Sequence, residues 1–133
     1  ENQVQIDCDV LQADGGTRTA SVTGAYVALV DALDWAEKHH HIRSAKKVLT
    51  DCVSAVPVGV ISGTPMLDLP YVVDSAAMTD MNVAMTGSGA FIELQGTAEH
   101  RPFTRDELGT LLDLAEKGNK ELQAAQREAL AKD

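Results

Sequence analysis

Two short stretches of the chain hold residue types that could carry chemistry. The first is Asp14-Gly15-Gly16-Thr17-Arg18-Thr19, where a strand-like segment meets a long helical one. A helix start gathers free backbone N–H groups and the positive end of the helix dipole at one spot, which makes it a cradle for an anion. Glycines let an oxyanion approach the backbone, Thr17 and Thr19 bring hydroxyl donors, and Arg18 brings a planar fork suited to phosphate. No lysine follows the glycines, so this is not a Walker loop. The same residues also build an ordinary strand-to-helix junction from a Gly-Gly turn and a Thr cap. Arg18, standing in an acidic chain, tilts the balance slightly towards phosphate.

The second stretch is Asp74-Ser75-Ala76-Ala77-Met78-Thr79-Asp80. Two carboxylates in a short connection can share a divalent cation, because magnesium takes one or two protein carboxylates and completes its shell with water and phosphate oxygens. Asp74 falls in a loop and Asp80 opens a strand. Turn chemistry accounts for the same residues, since Asp and Ser routinely bond nearby backbone N–H groups. His39-His40-His41 makes a poor metal site, because three adjacent histidines cannot all face one ion on a regular helix. Asp7 and Asp9 read as solvated. Tyr26, Trp35, Met78, Met81 and Met85 read as core or interface rather than as a platform for bases.

The elements that must position these residues follow from hydrophobic period. Val4, Ile6, Cys8 and Val10 alternate with polar residues, which predicts a half-buried strand with Cys8 as a buried, reduced thiol. From Thr17 to Ala36 the composition is helical and apolar nearly all round, so the helix should be buried on most sides. Glu37 to Lys47 reads as a solvated helix end and loop. Val53 to Ile61, a Ser62-Gly63 turn and Met66 to Leu69 form a hairpin, in which Pro57 marks an edge or a bulge. Met81, Val83 and Met85, then Gly87-Ser88-Gly89, then Ala90, Ile92 and Leu94 form a second hairpin. Thr104-Arg105-Asp106-Glu107 is a capping box that opens a helix with Leu108, Leu111, Leu112, Ala115, Leu122, Ala125 and Ala129 on one stripe. The order predicts an α+β fold: a mixed β-sheet covered by helices on one face.

Composition sets the outer bounds. In 133 residues, 44% are apolar and 23% charged, enough for one core in a single domain spanning residues 1–133. Eleven Lys plus Arg against 20 Asp plus Glu give a net charge of −9, which argues against a whole-surface binder of nucleic acid or anionic membrane while allowing a local basic pocket. No apolar stretch reaches the ~20 residues that a bilayer span requires. No signal peptide is read at the start. Two cysteines far apart suggest neither a zinc site nor a disulfide framework, as expected for the cytoplasm.

Four separated motifs point to a family. Asp7-Cys8-Asp9-Val10-Leu11-Gln12-Ala13-Asp14-Gly15-Gly16-Thr17-Arg18-Thr19-Ala20 is followed by Thr23-Gly24-Ala25. Asp74-Ser75 with Thr79-Asp80-Met81-Asn82-Val83, then Gln95-Gly96-Thr97-Ala98-Glu99, then Pro102-Phe103 complete the set in order. Together they resemble the bacterial ribonuclease PH family, in its C-terminal half. The resemblance implies a fold containing a βαβ unit and a phosphate-dependent 3′-to-5′ exoribonuclease that trims tRNA precursors with a free 3′ end. Terminal nucleotides would pass to inorganic phosphate and leave as nucleoside diphosphates. It further implies phosphate binding at Gly16, Thr17 and Arg18, active-site carboxylates at Asp74 and Asp80 holding Mg2+ or Mn2+, and a general acid role for Asp74. A homo-oligomer in the form of a hexameric ring is implied as well. Half of a polynucleotide phosphorylase core and a non-catalytic exosome-type ring subunit that guides RNA are the alternatives. Retention of Arg18, Asp74 and Asp80 argues against the second.

The resemblance covers only the C-terminal half of the family's chain and places Glu1-Asn2-Gln3 at what looks like the entry to a strand of that longer chain, so either a longer polypeptide or a separate chain is expected to provide the rest. The alternating strands and the all-round apolar helix carry more hydrophobic surface than two helices and one small sheet can hide, so a further protein layer is expected over them.

Overall fold

The computed structural model describes residues 3–70 and 78–131. Two hairpins form one sheet. β1 (Val53–Ile61) turns into β2 (Thr64–Leu67), and β3 (Thr79–Thr86) turns into β4 (Phe91–Ala98). β1 also pairs with β3, from Val53 opposite Thr86 to Val60 opposite Thr79, so the order is β2-β1-β3-β4. The first turn joins Ile61 to its partner Thr64 through Ser62 (φ 48°) and Gly63 (φ 82°). Two consecutive left-handed residues give the turn whose twist matches that of the flanking strands. Pro57 lies where β2 has stopped pairing with β1. Its carbonyl accepts from Asp68 N at 3.0 Å, and its missing N–H faces the edge rather than β3.

Register divides the sheet's side chains into two sets. Val56, Val58 and Val60 of β1 and Met81, Val83 and Met85 of β3 point to one face, where they meet Leu111 and Ala115 of α2 (Arg105–Leu130). α2 begins as expected, with the Thr104 side chain accepting from Glu107 N while the Glu107 carboxylate accepts from Thr104 N. At Gly118 a Cβ would stand 2.7 Å from Leu67 Cδ1 and 3.2 Å from Val56 Cγ1, so the missing side chain lets the helix approach the sheet closely.

The apolar stripe of α2 does not continue as the sequence suggested. Ala125 and Ala129 are exposed, and Asn119, Gln123 and Gln126 are buried instead. Gln126 Nε2 donates to Thr23 O (2.9 Å) and Val53 O (2.8 Å), and Gln123 Nε2 donates to Ser54 Oγ and Thr86 O. Asn119 Oδ1 accepts from Ser54 Oγ at 2.6 Å. Here α2 crosses the ends of β1 and β3, where Val53 O lies outside the ladder and takes a donor that an alanine could not supply, while Thr86 O also accepts from Gly89 N and Thr23 O lies inside α1.

α1 (Thr17–Lys38) runs beside the half of β1 that β2 leaves unpaired. Thr23 Oγ1 donates to Ala55 O (3.3 Å) and accepts from Ala55 N (3.1 Å), standing in for a neighbouring strand. The first turn of α1 reaches the face of the sheet opposite α2.

The α+β class holds, and four features differ from expectation. The sheet is antiparallel throughout the described residues rather than mixed, and only α2 lies flat on a face of it. Residues 3–14 contain no strand, so no βαβ unit is assembled within the described residues; Val4, Ile6 and Val10 are about half exposed. Cys8 is exposed, not buried. Only Thr19 and Leu33 of α1 are buried, and Trp35 is 55% exposed. All four have one cause: the alternating segment and the outer side of α1 have no further strand or layer to pack on among the described residues. No helix among those residues is long and apolar enough to cross a membrane.

Candidate active site

The Gly15-Gly16 turn is shaped by the chain it touches. A Cβ on Gly15 would fall 1.7 Å from Leu69 O, and one on Gly16, whose φ is 72°, would fall 2.8 Å from Pro57 Cγ. The start of α1 is therefore pressed onto the exit of β2 and onto β1, and only glycine fits there. Gly15 N bonds Asp14 Oδ1, Thr17 Oγ1 donates to Asp14 O, and Thr19 Oγ1 donates to Gly16 O, each at 2.8 Å. Both threonine hydroxyls thus brace the turn itself. Gly16, as the residue before the helix, provides no side-chain cap, and the first turn holds no acidic residue. No side chain of the helix itself neutralises the positive end of α1; the one carboxylate bonded at the turn is that of Asp14, on Gly15 N.

Arg18 extends from that first turn to β4. Its Nη2 donates to both carboxylate oxygens of Glu93 (2.9 and 2.8 Å), and Nη1 donates to Gln95 Oε1 (3.2 Å). Glu93 pairs with Ala84 and Gln95 with Asn82, whereas Leu94 between them pairs with the core residue Val83. Glu93 and Gln95 consequently point away from α2. Asp80, opposite Gly59 on one side and Thr97 on the other, belongs to the same set as Asn82 and Ala84. The structure therefore brings Arg18 and Asp80 to one face of the sheet, with Asp80 half-buried near its β2 end.

Asp74 lies outside the described residues, so the approach of its carboxylate to Asp80 is not described. Among the described residues, no cluster of three or more His, Cys, Asp or Glu side chains is placed to hold a metal ion. The histidine run is engaged elsewhere: the rings of His39 and His41 stack on Trp35 with centroids 4.2 and 5.4 Å away. Met81 and Met85 are core, as expected. Burial, then the neighbouring Asp51 carboxylate, pushes the Cys52 thiol above its ordinary range, which suits a structural thiol rather than a nucleophile.

Sequence reasoning assigned no role to Glu93 or Gln95. Their spacing of two on a strand puts them on one face, but nothing local indicates that a residue 75 and 77 positions earlier in the chain will reach them.

Two family models match the chain. The 3′ exoribonuclease family, domain 2, covers residues 51–118, and domain 1 of the same family covers residues 1–33. The chain belongs to the 3′ exoribonuclease family. Within it, the chain is 84% identical over its full length to ribonuclease PH of Bifidobacterium longum and 57% identical over 99% of its length to ribonuclease PH of Corynebacterium kroppenstedtii. It spans about half the length of these relatives, 54% and 51% respectively. Crystallographic rice Rrp46 shares the fold, with a TM-score of 0.69 over 90% of this chain and 50% of that one, at 14% identity. Residues 34–50, which include the histidine run, fall between the two matched family regions.

Proposed function

We propose that this chain forms the phosphate- and metal-binding half of a phosphorolytic 3′-to-5′ exoribonuclease that shortens tRNA precursors. The observation that carries this reading is the convergence of Arg18, at an uncapped helix start, and Asp80 on one face of the sheet. That the 84% and 57% identical relatives are both ribonuclease PH favours it over half of a polynucleotide phosphorylase.

In this reading inorganic phosphate rests on the start of α1, held by the Gly16 and Thr17 backbone and by the Arg18 fork. The helix start fits an anion in that its first turn holds no acidic side chain, although the Asp14 carboxylate occupies Gly15 N just before it and leaves the N–H groups from Gly16 onward for phosphate. A phosphate oxygen attacks the phosphorus of the last phosphodiester, and the bond from that phosphorus to the preceding ribose 3′ oxygen breaks. The departing oxygen takes a proton, leaving a nucleoside diphosphate and an RNA one nucleotide shorter. Positioning supplies much of the rate, since two anions must be brought into line against their repulsion. Asp80, a hard oxygen donor on the same face, fits a magnesium or manganese ion shared with Asp74, which would neutralise charge on the phosphate groups.

Copies of the chain, each with the half that its relatives carry, would close into a six-membered ring in the cytoplasm. The exposed Phe91, Ile92 and Leu94 of β4 and the half-exposed apolar residues of 3–14 are surfaces that such partners would cover. The test joins the sequence to the preceding part of the Bifidobacterium relative and supplies phosphate, magnesium and an RNA with an unpaired 3′ end. Nucleoside diphosphates are expected. Nucleoside monophosphates would mean hydrolysis and would overturn the reading.

A further inference from the structure

The Arg18 guanidinium is gripped at its tip from two points. Glu93 takes both of its contacts through Nη2, and Gln95 takes one through Nη1, so the acceptors on a single strand fix both terminal nitrogens. Residues two apart on a strand lie roughly 7 Å from one another on the same face, a spacing that spans a guanidinium and sets its plane. The three contacts leave the Nε edge of the fork outside the grip. An arginine on the exposed first turn of a helix would otherwise sample many rotamers, and ordering such a side chain on binding costs about 0.5–1.5 kcal/mol. The ion pair itself is largely solvated, with side chains 56% and 38% exposed, and such pairs contribute little to stability.

We infer that Glu93, assisted by Gln95, is a positioning residue for the phosphate site: it holds Arg18 across the sheet, over the face that carries Asp80, so that the free edge of the fork is already in place when phosphate arrives. The inference rests on the phosphate-binding role proposed above for Arg18. It also has an opposing consequence to weigh, because a carboxylate beside the site repels phosphate. If repulsion dominated, removing Glu93 would tighten phosphate binding. If positioning dominates, removal weakens it.

The test uses the protein joined to its missing half and measures phosphate KM, RNA KM and kcat separately. Glu93→Ala should raise the phosphate KM about three- to ten-fold, with RNA KM and kcat within two-fold and the thermal midpoint unchanged. Glu93→Gln, which keeps one acceptor for Nη2, should recover part of the loss, and Gln95→Ala should show a smaller rise. In an Arg18→Lys background, Glu93→Ala should have no further effect on the phosphate KM, because a lysine does not use the fork. A phosphate KM that falls or stays constant in Glu93→Ala, while Arg18→Ala raises it, would overturn the positioning role alone. A phosphate KM unaffected by Arg18→Ala would overturn the phosphate assignment and this inference together.

Discussion

On the α2 side of the sheet, Val58, Val83, Leu111 and Ala115 are sealed from solvent, and the polar side chains admitted there are almost all hydrogen-bonded. On the opposite side, Arg18, Gln95 and Thr97 are exposed, and Glu93 and Asp80 are only half-buried. One face is closed by its own helix and the other is open among the described residues. Under the function proposed above, stability and chemistry fall to alternate residues of the same strands, and a substitution one position along β3 or β4 should change the kind of defect, not merely its size.

The largest effect should come from breaking the closed face. Leu111 is fully buried against the six sheet residues of the core, and Leu111→Ala should cost about 2–5 kcal/mol of stability, read from denaturant unfolding. Its effect on activity should follow the fraction folded and leave the phosphate KM of the folded fraction as it was.

On the open face the pattern should reverse. Arg18→Ala should raise the phosphate KM about 10- to 100-fold, in line with loss of a charge-assisted contact worth about 1.5–3 kcal/mol, with no loss of stability beyond that of a solvated ion pair. Asp80→Asn should lower kcat while the protein stays folded. A drop in the unfolding midpoint matching that of Leu111→Ala would mean that the two faces are not separate after all.

The polar seam on α2 gives a smaller effect that sharpens the boundary. Gln126→Leu removes both bonds from Nε2: Val53 O loses its side-chain donor, while Thr23 O, inside α1, keeps its helix bond, and the loss should cost about 1–3 kcal/mol. Because Thr23 also ties α1 to Ala55, hydrogen exchange should accelerate first in α1 and the start of β1 rather than in β4.

How much of this could be read in the residues depends on the range of the interaction. The Ser62-Gly63 turn, the second hairpin and the Thr104–Glu107 cap are set by neighbours within a few positions, and all were legible. The alternation of Val4, Ile6, Cys8 and Val10 was legible as a pattern, but a strand also needs a partner, and the described residues provide none. Gln123 and Gln126 were not among the residues placed on the stripe of α2, and Ala125 and Ala129 were, because composition does not show which carbonyls lie beneath the helix. At the site, Arg18 stood out from its place at a helix start and Asp80 from its place on a strand. The bond from Arg18 to Glu93 did not, because it depends on how the two hairpins join.

The smallest effect concerns the start of α2. There Arg101 pairs with Glu107, whose carboxylate also accepts from Thr104 N at 2.7 Å. The hydrogen bond from Arg101, then that from the Thr104 backbone, lowers the Glu107 pKa from 4.5 to about 2. A carboxyl whose folded pKa is depressed contributes stability that is fully present above its unfolded value and disappears as pH falls through its folded value. The cap should therefore weaken as pH drops from about 4.5 towards 2, and remain constant above that window. The pair is exposed, so salt should shrink the effect. Comparing wild type with Glu107→Gln by thermal unfolding at pH 6, 4, 3 and about 2 tests this: the difference between them should be constant at the upper end and narrow as the acid side chain takes up its proton. Arg101→Ala should shift the narrowing to higher pH, because the carboxylate would then keep only the backbone and hydroxyl bonds of Thr104. A gap that stayed the same across the whole range would mean that this carboxylate does not anchor the helix start. Phosphate KM should not respond to either substitution, since the cap belongs to the helix that closes the other face.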